Sequence, residues 1–129
     1  MIVFVCAGNT CRSPMAEALA EARGLAADSA GTSVPASNHA APLAVRALRD
    51  ARGLALDAHT PKDVGTVDLE AAETVVAMDP GIAQQLRDAH DVAPERLVTW
   101  SIADPYGGRL ADYRLCLEAI DTALQTLEE

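Results

Sequence analysis

The chain has 129 residues, half of them hydrophobic and only 3% aromatic, with a formal net charge of −9. This length makes one domain with a proper core and leaves no room for a second, and the charge argues against nucleic acid or an anionic membrane as partner, because long-range repulsion opposes both. No run of 18 apolar residues is present, residues 1–5 are too short for a signal peptide, and three cysteines without zinc-like spacing argue against a disulfide framework or a structural metal, so a soluble cytoplasmic protein is expected.

The first element is a β-branched run, a strand near 2–5, that delivers Cys6 into a loop containing Gly8 and closing at Arg12. Ser13 then reads as the N-cap of a helix near 14–24, with Pro14 at its first position and Glu17 in its first turn. A strand, short loop and helix aim backbone N–H groups and the positive end of the helix dipole into the loop's concavity, which therefore suits a dianion. Arg12 adds a planar fork of donors fitted to two phosphate oxygens, and Gly8 lets the backbone bend around the anion without a Cβ in the way. The same field favours the thiolate of Cys6, and a thiolate beside a bound phosphorus is a nucleophile. A cysteine and an arginine at this spacing also occur by chance, as a buried Cys6 and a surface Arg12; the specificity comes from the strand and helix on either side.

Further along, strands are expected near 28–32, 73–78 and 96–99 and helices near 42–52, 80–88 and 109–127, with turns at Gly24, Gly31 and Gly53 and loops at 33–42 and 60–66. Short apolar strands alternating with helices imply an α/β, three-layer sandwich: a central four-stranded parallel sheet with helices on both faces, connected right-handedly. Ligands of such sheets bind beyond the carboxyl ends of the strands, where Cys6, Thr32, Asp79 and Asp104 would gather. Cys116 sits among Leu115, Leu117 and Ile120 in the last helix and reads as core, while His39 and His90 lack any motif and are expected at the surface.

The run VFVCAGNTCRSPMAE, residues 3–17, resembles the signature of the low-molecular-weight protein tyrosine phosphatases. Ser29-Ala30-Gly31-Thr32, His59, Met78-Asp79 and Asp104-Pro105-Tyr106 resemble further family segments in the same order, so the resemblance spans essentially the whole chain, 1–129, as one phosphatase domain of Rossmann-like, phosphotyrosine phosphatase I fold. It implies a protein phosphatase that works through a phosphocysteine on Cys6. Phosphate would be held by Ala7, Gly8, Asn9, Thr10, Cys11, Arg12 and Ser13, and no cofactor or metal would take part. Asp104 would protonate the leaving group and then activate water against the phosphocysteine. For an Asp-Pro in general, the commoner role is to cap the following helix. Asn9, Ser13, Ser29 and His59 match a polar network that shapes the loop and supports the thiolate, with Asn9 in the left-handed conformation; a surface or helix-cap role stays open for His59. Cys11 matches a neighbour that can form a reversible disulfide with an oxidised nucleophile, or else is a small apolar filler behind the loop.

Substrate is where the chain departs from the family pattern. Loop 32–38 (TSVPASN) carries no aromatic residue, Gly107 follows Tyr106 where many members have a second tyrosine, and Thr10 replaces a bulkier aliphatic residue, which resembles the protein-arginine phosphatase branch. Thr10 and Tyr106 would flank the substrate. Phosphotyrosine in proteins is the expected target, phosphoarginine the alternative, with inorganic phosphate as product and a monomeric enzyme. Arsenate reductases on this scaffold relay oxidation to later cysteines, and Cys116 is the only late cysteine here.

Overall fold

A computed structural model describes residues 1–128. Four strands and four α-helices alternate as expected: β1 (Ile2–Cys6), α1 (Arg12–Ala22), β2 (Ala27–Gly31), α2 (Pro42–Arg52), β3 (Thr74–Ala77), α3 (Pro80–His90), β4 (Leu97–Thr99) and α4 (Leu110–Glu128). The sheet is parallel throughout, in the order β2-β1-β3-β4, so β1 is flanked on both sides and Cys6 ends a central strand opposite Gly31.

The two-residue period of β1 divides the core. Ile2, Phe4 and Cys6 face one side, where Met15, Ala16 and Leu19 of α1, Ala44, Ala47 and Leu48 of α2, and Leu117, Ile120 and Leu124 of α4 close over them. Val3 and Val5 face the other, against Ile82, Ala83 and Leu86 of α3 and the buried Val64 and Leu69. A strand covered on both faces must be apolar at every position, which is why IVFVC is a continuous run rather than an alternating one. In α4 the buried positions Tyr113, Cys116, Leu117, Ile120 and Leu124 keep the helical three-to-four spacing. Cys116 is core as expected, but Leu115 points outward and is 70% exposed.

Several boundaries shift, and one shift matters chemically. The first helix begins at Arg12 with Cys11 as its cap and no side-chain capping bond, so Ser13 is not the N-cap and Glu17 lies in the second turn rather than the first. Ser13 spends its hydroxyl on the sulfur of Cys6 instead. Pro14 is accommodated because the first four helical N–H groups have no intrahelical partner to lose. Two single-turn 3₁₀ segments, Val64–Thr66 and Leu69–Ala71, occupy the stretch before β3, and a third, Pro94–Arg96, precedes β4. Each of the first two is opened by an aspartate, Asp63 or Asp68, that accepts a backbone N–H two residues on. His90 is half-buried in the last turn of α3, while His39 is exposed.

Candidate active site

The loop between β1 and α1 wraps a sulfur. Cys6 Sγ receives the backbone N–H of Asn9 at 3.3 Å and lies 2.9 Å from Ser13 Oγ, and the whole group is buried. Asn9 holds the loop's shape with φ at 55°, a left-handed conformation that asparagine tolerates better than most residues, and is itself fully buried. All of its polar atoms are used: Oδ1 accepts from Lys62 N at 3.0 Å, Nδ2 donates to Ser13 Oγ at 2.8 Å and Ser29 Oγ at 3.0 Å, and its carbonyl sits 2.8 Å from His59 Nε2. Because Ser13 Oγ already accepts from the amide, its own proton is free to point at the sulfur. Burial keeps the His59 imidazole neutral by lowering its pKa, and the neutral ring carries its proton on Nε2, towards Asn9. His59 is therefore a loop support, not a surface or cap residue.

The neighbouring strand supports the loop as well. Thr32 N–H donates to Cys6 O at 3.0 Å and Ser33 N–H to Ala7 O at 2.9 Å. At Gly31 a Cβ would stand 2.5 Å from Ala7 O and 3.0 Å from Asn9 N, so only glycine allows β2 to lie this close beneath the loop. Gly31, expected at a turn, does not have a left-handed φ; what it provides is space.

Arg12, 4% exposed, closes the loop. Its Nη1 donates to Asp79 Oδ2 and to Ile102 O, both at 2.9 Å, and its Nη2 lies 3.8 Å from Asp104 Oδ2. Anchoring one nitrogen on two acceptors fixes the guanidinium plane and leaves its other edge towards the pocket. Asp79 also caps α3, accepting Ile82 N–H at 2.9 Å. Burial pushes its carboxyl up, but the bonds from Arg12 and Ile82 outweigh burial and hold it below its ordinary value. Asp-Pro before an apolar helix was a legible capping signal, whereas the bond to Arg12 crosses 67 positions and has no local signature.

A cavity of about 280 Å³ opens over this floor, lined by Cys6, Gly8, Thr10, Arg12, Asp104 and Tyr106, with Ser33 and Pro35 opposite. Tyr106 is 73% exposed and forms one wall, and Pro35 is what the aromatic-free loop 32–38 contributes alongside Ser33. Thr32 does not line the cavity; its hydroxyl is buried without a partner beside the loop. Asp104 does not cap α4, which starts at Leu110: its Oδ1 accepts Tyr106 N–H at 3.1 Å and Oδ2 is left facing the cavity. Gly107, at φ 80°, turns the chain towards that helix. Behind the loop, the Cys11 thiol donates to Tyr113 Oη at 3.7 Å, and burial raises its pKa. Cys116 is buried too, its thiol pushed up to about 12 mainly by burial. Among the described residues no group of three or more His, Cys, Asp or Glu side chains could hold a metal ion, and no helix is long and apolar enough to cross a membrane.

A loop whose backbone N–H groups and arginine surround one small concavity, with a cysteine at its floor and a carboxylate at its rim, is suited to hold an oxyanion. The chain is similar to known proteins. A protein-arginine-phosphatase of Bacillus subtilis is 36% identical, the alignment covering 98% of this chain and 93% of that protein. The low molecular weight protein tyrosine phosphatase from T. tengcongensis superposes with a TM-score of 0.90 at 31% identity, over 98% of this chain and 95% of that one. A mutant of the YwlE arginine phosphatase, in which serine replaces the active-site cysteine and is phosphorylated, superposes with a TM-score of 0.87 at 31% identity, over 98% and 91% of the two chains. With the family model for low molecular weight phosphotyrosine protein phosphatase matching residues 1–129, the chain belongs to that family.

Proposed function

We propose that residues 1–129 form one protein phosphatase domain that hydrolyses phosphotyrosine in proteins through a phosphocysteine on Cys6. The observation that carries this reading is the sulfur itself, held by Asn9 N–H and Ser13 at the floor of a cavity that Arg12 and Asp104 share. The loop N–H groups and the free edge of Arg12 bind the phosphoryl oxygens, Cys6 attacks in line, and Asp104 protonates the departing oxygen. Water activated by the same carboxylate then releases inorganic phosphate. The phosphorylated serine in the mutant arginine phosphatase supports covalent transfer to the residue at this place. Cys11, kept as a thiol by burial, is the group that would condense with an oxidised Cys6. Three free thiols suit a reducing cytoplasm, and we read the enzyme as a monomer.

Phosphoarginine is the second reading, and Thr10 favours it. Its side chain lines the cavity beside Cys6, and its hydroxyl can take a hydrogen bond from the guanidinium side of that substrate or from a water, where an aliphatic residue would pack on a phenyl ring. Side-by-side rates on phosphotyrosine and phosphoarginine peptides decide between them. Thr10→Ile is expected to leave p-nitrophenyl phosphate turnover largely intact while raising the phosphotyrosine to phosphoarginine ratio at least about tenfold. An unchanged ratio would place specificity in the loops at 32–38 and 104–108. The burial of Cys116 argues against the arsenate reductase reading, and turnover that proves insensitive to thioredoxin would exclude it.

The anchoring of Arg12 makes its own prediction. Asp79→Asn puts an amide in place of the carboxylate; with its oxygen on Ile82 N–H, its NH₂ faces Arg12 Nη1, donor against donor. The freed guanidinium should raise KM for p-nitrophenyl phosphate about tenfold with a smaller change in kcat. The wild-type anchor should survive well into acid. A carboxyl held below its ordinary value contributes stability above that value and loses it only as pH falls through the lowered one. An unchanged KM in the mutant would mean that Ile102 O alone suffices.

A further inference from the structure

The hydrogen bonds that reach Cys6 do not end at Ser29. Ser29 Oγ, fully buried, donates to Glu17 Oε1 at 2.5 Å, and Glu17 lies one and a half turns into α1, on the side away from the catalytic cavity. Glu17 lines a small cleft with Pro14, Glu21, Leu56 and His59, and does not touch the space where substrate would sit.

Following the protons shows what this carboxylate does. Asn9 Nδ2 has two hydrogens and gives one to Ser13 and one to Ser29. Each serine therefore accepts from the amide and turns its single proton outward, Ser29 to Glu17 and Ser13 to the sulfur at 2.9 Å, with Ala30 O a longer second acceptor at 3.5 Å. No proton can pass along this path, since the amide nitrogen donates at both ends. What passes is orientation. Without an acceptor at position 17, the buried Ser29 hydroxyl has a proton and nowhere to place it. Turned towards the Asn9 Nδ2 the proton would meet another donor, so the amide must give up its bond to Ser29 and shift, which loosens Ser13 from Cys6.

We propose that Glu17 is a positioning residue: as terminal acceptor of the chain Cys6–Ser13–Asn9–Ser29, it fixes the direction in which Ser13 donates to the catalytic sulfur. This rests on the reading of Cys6 as the nucleophile. The acceptor is what the role requires, not the charge. Burial raises the Glu17 carboxyl, with Ser29 opposing, Asp28 and Glu21 adding to the rise and Lys62 opposing it; His59, across the cleft, is kept neutral. Either protonation state keeps an oxygen for Ser29, so function should not follow the titration of this group.

The test compares Glu17→Met, which fills the space without an acceptor, with Glu17→Gln, which keeps one. In Glu17→Met, kcat for p-nitrophenyl phosphate should fall about five- to tenfold, the factor equivalent to one hydrogen bond, with KM unchanged because phosphate is held elsewhere. Alkylation of Cys6 by iodoacetate at pH 6, followed by intact mass with the site assigned by peptide sequencing, should slow by a similar factor. Glu17→Gln should stay within about twofold of wild type in both measurements. The inference is overturned if Glu17→Met matches wild type in kcat and alkylation, or if Glu17→Gln is as impaired as Glu17→Met. Alkylation needs no turnover, and Cys6→Ser measured alongside tests the nucleophile separately, so failure of one reading is not mistaken for failure of the other.

Discussion

Cys6→Ser is expected to fold normally, bind phosphate and lose about 10⁴-fold or more of its phosphatase turnover. A serine hydroxyl is a far poorer nucleophile than a thiol, and its phosphate ester is a far poorer leaving group in the hydrolytic second step. No base is bonded to Cys6: His59 has its Nε2 on the Asn9 carbonyl, and the partners of the sulfur are Ser13 Oγ and the Asn9 N–H. The sulfur can work without a base because a thiol ionises far more readily than a hydroxyl, and the donors of Ser13 and Asn9 are already aimed at it. Isothermal titration with inorganic phosphate should give an affinity close to wild type, since the loop amides and Arg12 are untouched. A mutant retaining even a tenth of normal turnover would rule out the covalent mechanism. Arg12→Lys should be nearly as damaging: one ammonium cannot hold Asp79 and Ile102 O and still offer a planar edge to two phosphoryl oxygens.

What the sequence revealed and what it hid follow from the range of the forces involved. The strand IVFVC, Pro42 and Pro80 opening α2 and α3, and Gly53 closing α2 at φ 66° are local devices, and the alternation they define was enough for the parallel sheet and its helices. The nucleophile loop was equally legible, because the functional atoms lie within seven residues of one another. The first helix was misplaced at its start because Ser13 looks like a cap in sequence, and only the fold shows its hydroxyl committed to Cys6. The anchoring of Arg12 by Asp79 and Ile102, the space at Gly31 and the bond from Ser29 to Glu17 all join elements distant along the chain. No periodicity encodes such contacts. Asp79 could be read as a helix cap and Glu17 as a helix residue, and both readings are true without revealing what else their carboxylates hold.

Asp104→Ala is expected to slow hydrolysis of phenyl phosphate by roughly 10²–10⁴-fold, because that leaving group departs poorly without a proton, and to slow p-nitrophenyl phosphate much less. The geometry sets the carboxylate up for the task. Pro105 is buried and stiffens the loop, Oδ1 is tied to the Tyr106 amide, and Oδ2 faces the cavity 3.8 Å from Arg12 Nη2 on a side chain that is 51% exposed. One oxygen is thus fixed and the other is free, in the proposed mechanism, to give a proton to the leaving group and then to take one from the water that would attack the phosphocysteine. The other carboxylate beside Arg12 cannot stand in. Asp79 has Oδ1 on Ile82 N–H and Oδ2 on Arg12, is held in its charged form by both, and does not line the cavity. The dependence on leaving group is therefore the decisive measurement. A loss that shrinks as the leaving group becomes more acidic identifies proton donation, whereas equal losses for the two substrates would reduce Asp104 to a neighbour of Arg12 and leave the acid role to a group outside this loop.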